Sequence, residues 1–149
     1  MFLWPWKSPS ERRAERLLRA NLGSEQRADL RKHGYFYVTG GCSRLCYRIG
    51  PHHAVWLLAP GVSAKPAGTF CVYPLGGLPA PDAMLAHSLW IQHDERGFCS
   101  IAVFRPYCPD LWYATIPILQ RAGLLHGTNY TASCYRRGLF AVPASAERS

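Results

Sequence analysis

Residues 35–49, YFYVTGGCSRLCYRI, alternate between apolar and polar positions on both sides of a glycine pair. Phe36 and Val38 fall on one side of a first strand, with Tyr35, Tyr37 and Thr39 on the other. Leu45, Tyr47 and Ile49 fall on one side of a second strand, with Arg44, Cys46 and Arg48 on the other. A period of two with one apolar face predicts an antiparallel hairpin, its turn at Gly40-Gly41-Cys42-Ser43. The outer face of that hairpin then carries Tyr35, Tyr37, Arg44 and Arg48.

A helical period precedes the hairpin. Ser8 caps, Pro9 occupies the first helical position and Glu11 completes a capping box. Ala14, Leu17, Leu18 and Leu22 share one face, and Arg12, Arg13, Arg16 and Arg19 spread over the rest. Ser24 opens a second helix over 25–33, stopped by Gly34. The helix is too short for a convincing DNA-reading helix, and Arg27 and Arg31 read as a solvated face. After the hairpin, 54–58 (AVWLL) and 69–73 (TFCVY) predict two more strands, separated by a turn rich in Pro and Gly. Pro81 and Asp82 start a third helix running to about 93. Residues 98–104 read as a further strand, 116–125 as a short helix and 133–142 as a last strand. The tail 143–149 reads as frayed. The fold class expected is α+β: a helical pair, a meander of about four strands, one packing helix and a C-terminal extension. The division is an aromatic arm over 1–7, a domain over 8–98 and an extension over 99–149.

Composition agrees with a folded domain, since 48% of the 149 residues are hydrophobic and 17% charged. Charge adds a clue about partners. The net charge of +8 is concentrated at the ends: 1–34 hold eight Lys/Arg against four Asp/Glu, and 101–149 hold five against two. A basic surface suits nucleic acid, an anionic membrane or an acidic protein. No secretory leader and no apolar stretch of spanning length is legible, so the six cysteines read as reduced thiols of a cytoplasmic protein.

The chemistry of the chain favours binding over catalysis. Cys42, Cys46 and His52-His53 give a spacing foreign to zinc sites, so no metal or other cofactor is expected. A Cys99–His93 or Cys71–His87 dyad is conceivable only if folding brings the pair together. There is no nucleophile elbow, HExxH, P-loop or dinucleotide loop, and the acids read as scattered helix-surface residues. Two readings remain, with an unrecognised enzyme as a third. One is a small basic adaptor for nucleic acid or a ribonucleoprotein. It uses Arg12, Arg13, Arg16, Arg44, Arg48, Arg136 and Arg137, with Tyr35 and Tyr37 as stacking surfaces. The other is a protein–protein or peripheral membrane subunit contacting its partner through Phe2, Leu3, Trp4 and Trp6. Against the first stands a plainer role for the Tyr–Arg face, as cross-strand pairs that only stabilise the sheet.

The segments ERLLRANLGSEQRADLRKHGYFYV, CYRI and FCVYPLGGLPAPDAMLAHSLWIQHDERGF together resemble a small uncharacterised bacterial family with a helix pair, a β-meander and a P..D.MLA helix. The resemblance spans about 15–98 and implies an architecture without an activity. The order of elements also looks like a degenerate SWIM-type zinc module. In that likeness Cys71-Val72-Tyr73 lacks the second cysteine, and Pro81-Asp82-Ala83 replaces the C-x-H pair.

Overall fold

A computed structural model of the chain describes residues 8–52, 54–59, 65–72, 76–106 and 109–124. Among these are five helices and five strands in an α+β arrangement. Helix α1 (Pro9–Asn21) starts as its sequence predicts. The Ser8 hydroxyl accepts from the Glu11 N–H at 3.2 Å, and the Glu11 carboxylate accepts from the Ser8 N–H at 3.0 Å. Helix α2 (Ser24–His33) stops at Gly34, which takes the left-handed conformation with φ +78°.

The hairpin consists of β1 (Phe36–Thr39) and β2 (Cys46–Ile49). Strands β3 (Ala54–Leu58) and β4 (Pro66–Cys71) extend it, and β5 (Val103–Pro106) adds a fifth to the four-strand meander, overlapping only the end of the further strand expected at 98–104. The sheet is an antiparallel meander in the order β1-β2-β3-β4-β5. Its register aligns Phe36, Ile49, Val55, Phe70 and Phe104 in one row across all five strands. Every member of that row is at most 2% exposed. Each such side chain contributes about 1.5–3 kcal/mol by leaving water, so this row is the spine of the core. Helix α3 (Ala80–His93) covers it through Met84 and Ile91, and α1 packs on α3.

Two C-terminal expectations are corrected. Residues 95–101 form a helix, α4 (Glu95–Ile101), where a strand was expected from 98. Asp94 caps it by accepting from the Gly97 N–H at 3.0 Å. Glu95, Phe98 and Cys99 are buried at i, i+3 and i+4, the period of a helix face. Only after Ala102 does the chain extend. Helix α5 (Pro109–Arg121) begins seven residues before the expected 116 and carries Pro117 in its interior. Pro117 is exposed, while Thr115 and Leu119 beside it are fully buried, so packing outweighs the helix-breaking tendency. The expected strand at 133–142, the frayed tail at 143–149 and the arm at 1–7 lie outside the described residues.

Candidate functional site

The outward face of the sheet is built by the same alternation that builds the core. Register aligns Tyr37 with Arg48, and Arg48 with Trp56. The Arg48 guanidinium carbon sits 4.9 Å from the Tyr35 ring centroid and 5.2 Å from that of Trp56. Tyr35 meets Tyr37 edge-on at 5.8 Å and stacks on His33 at 5.3 Å. Tyr35, Tyr37, Arg48 and Trp56 are each half-buried. Burial, with Tyr35 alongside, pushes the Tyr37 hydroxyl up. The register continues through Thr69 to Arg105. On β4, however, Ala67 and Thr69 are buried, so the open platform is formed by β1 to β3.

Not all the residues singled out from sequence come together. Tyr35, Tyr37 and Arg48 do. Arg44 lies in the turn, before β2 begins at Cys46. Arg12, Arg13 and Arg16 line a shallow groove of ≈ 510 Å³ along α1, on the helical side of the sheet. Phe2, Leu3, Trp4, Trp6, Arg136 and Arg137 lie outside the described residues. Trp56 is an addition that sequence reading missed. Its place opposite Val55 and Leu57 was legible, but its contact with Arg48 depends on the β2–β3 register.

A second missed residue is Glu95, which organises the turn. It is 2% exposed. Its carboxylate accepts from the Cys42 N–H and the Ser43 N–H, each at 2.8 Å, from the Ser43 hydroxyl, and from the Tyr47 hydroxyl at 2.6 Å. The turn closes on itself as well, with the Gly40 N–H donating to Leu45 O at 2.8 Å and the Arg44 N–H to Gly40 O at 3.2 Å. Arg44 is thereby held at φ +62°. The Arg96 Nε and the Cys42 thiol both donate to Ala122 O, at 3.0 and 3.5 Å, and this ties the end of α5 to the same corner.

At Cys99 the thiol chemistry runs opposite to nucleophile activation. Burial first, then the Glu95 charge, pushes Cys99 up to about 12, whereas a reactive cysteine needs a lowered value. Burial likewise pushes the neighbouring Tyr47 well above its ordinary value. His87 packs on the Phe98 ring at 5.8 Å, and Cys71 is buried with its sulfur 4.0 Å from the Thr69 hydroxyl. Among the described residues no group of three or more His, Cys, Asp or Glu side chains is placed to hold a metal ion. None of the described helices is long and apolar enough to cross a membrane.

These shifts carry a pH prediction. Below a thiol's ordinary 9.0 both folded and unfolded Cys99 are protonated, and the stability associated with the neutral group is fully present. Above it the unfolded thiol ionises while the folded one does not, so the unfolded state binds fewer protons. Stability is then expected to fall by up to about 1.4 kcal/mol per pH unit for that thiol, through to about 12. Tyr47 adds to the fall above its ordinary 10.0. Urea unfolding midpoints at pH 8, 9, 10 and 11 test this, and a flat profile refutes it.

Comparison of the chain with family models, curated proteins and solved structures finds no match.

Proposed function

We propose that the protein is a small basic adaptor that binds single-stranded nucleic acid on the outward face of β1 to β3. The observation that supports this best is Arg48, sandwiched between Tyr35 and Trp56 beside Tyr37. A cross-strand stabilising role accounts for the Arg48 contacts. It leaves unexplained three large half-buried aromatic rings gathered on one patch of the sheet's outward face. Every base offers a π-face, so stacking on such rings contributes about 1–3 kcal/mol per base whatever the sequence. Arg48 supplies charge at the centre of the patch, and the net charge of +8 steers a polyanion toward it.

Fluorescence anisotropy with a labelled single-stranded oligonucleotide at two salt concentrations tests the proposal. Binding is expected at low salt and should weaken steeply as salt rises. Trp56→Ala and Tyr37→Ala are each expected to weaken it by roughly 5- to 30-fold. Arg48→Ala should also flatten the salt slope by about 0.7, the loss of one phosphate contact. No binding at low salt, or wild-type affinity in all three variants, overturns it.

A further inference from the structure

Beside the aromatic platform runs a groove of ≈ 640 Å³, walled by the start of α2, the edge strand β1, the glycine turn and the end of α3. We infer that this groove is a phosphate-binding subsite for the strand carried on the platform, with Arg44 and His93 as its ligands. The inference rests on the function proposed above.

Three observations carry it. The first is continuity: Tyr37 pairs with Arg48 on the platform and also lines the groove, where its carbonyl oxygen accepts from Gln26 Nε2 at 2.7 Å. A backbone leaving a base stacked at Tyr37 therefore enters the groove directly. The second is that the two side chains are unengaged. Arg44 and His93 line the groove and are exposed, and neither side chain makes a hydrogen bond or ion pair among the described residues. By contrast Arg19 is held by Glu15, Arg48 by two rings and Arg96 by Ala122 O. Thr39 and Ser24 add further hydrogen-bonding groups to the wall, which carries one carboxylate, Glu25. The third is the backbone of Arg44. At φ +62° glycine would sit without strain, yet the turn, clamped by Glu95, holds an arginine there. The anchor of the guanidinium is thus fixed, and a planar fork suited to phosphate oxygens hangs over the groove.

Arg44→Gly provides the test, because it removes the guanidinium and suits the backbone. Its urea midpoint is expected to equal or exceed that of the wild type. Its affinity for a single-stranded oligonucleotide should fall by about tenfold, with a salt slope shallower by about 0.7. In the wild-type protein, millimolar inorganic phosphate at constant ionic strength should shift the amide resonances of 39–44 and 93 and compete with the oligonucleotide. In Arg44→Gly it should do neither, and His93→Ala should show a partial loss. Wild-type oligonucleotide affinity and slope in Arg44→Gly, with Trp56→Ala still impaired, overturn the subsite and leave the platform standing. Phosphate shifts without competition would make the groove a site for free phosphate and equally overturn it. Absence of oligonucleotide binding by the wild type removes the platform reading, and the subsite with it.

Discussion

Glu95→Ala is expected to cost about 3–5 kcal/mol of stability, a large share of what a domain of this size has. The carboxylate receives four donors from three residues of the turn and β2. Hydrogen bonds to a charged acceptor contribute about 1.5–3 kcal/mol each, but the four do not simply add. Cys42 is exposed and Ser43 half-buried, so water can replace the carboxylate at their N–H groups. Tyr47 has no such recourse. It is 0% exposed, and its hydroxyl would be left without this acceptor inside the core. Glu95→Gln keeps the shape and one acceptor oxygen but turns an N–H₂ toward donors, so an intermediate loss of about 2 kcal/mol is expected. Urea denaturation should rank wild type above Gln and Gln above Ala. Equal midpoints for all three would show that the turn holds without the carboxylate.

The hairpin was legible because period-two alternation is local: it fixes which residues face the core before any partner strand is known. Phe36, Val38, Leu45, Tyr47 and Ile49 are all buried as that alternation requires. The capping box of α1 was legible for the same reason, its partners being three residues apart. What escaped was non-local. Glu95 reads as one more acid after a helix until a turn some 50 residues earlier folds onto it. Trp56 joins the platform only through a strand register that turn chemistry does not specify. The run from Phe98 is short and apolar, and such runs suit helix and strand alike. There the Asp94 cap and the pull of Glu95 toward the turn decide for helix. The candidate site is thus half-legible. Its aromatic and basic residues follow from pattern, while the clamp that places Arg44 follows only from the fold.

That clamp makes Gly41→Ala the second large expected effect. Gly41 is not at a positive φ, so backbone freedom is not the issue; approach is. Its N–H donates to Ile91 O at 3.1 Å, and a Cβ at this position would run into the backbone carbonyl oxygen of Gln92. Those carbonyls belong to the last turn of α3, where a helix has no internal donors left. The glycine turn therefore caps α3 by laying bare backbone against it, and any side chain forces the two apart. Gly40→Ala meets an equivalent obstacle, since its Cβ would overlap the Glu95 carboxylate. A side chain tied by four hydrogen bonds cannot swing aside cheaply. Each substitution is expected to cost about 2–4 kcal/mol, the range for overpacking compounded by lost hydrogen bonds. Gly50→Ala is the control, because its Cβ would lie 3.7 Å from the Tyr35 Cβ, an ordinary contact, and a change within about 0.5 kcal/mol is expected. Thermal and urea unfolding of the three variants decide the matter. If Gly41→Ala proved as mild as Gly50→Ala, the turn would not rest on α3, and the fixed anchor for Arg44 would be lost with it.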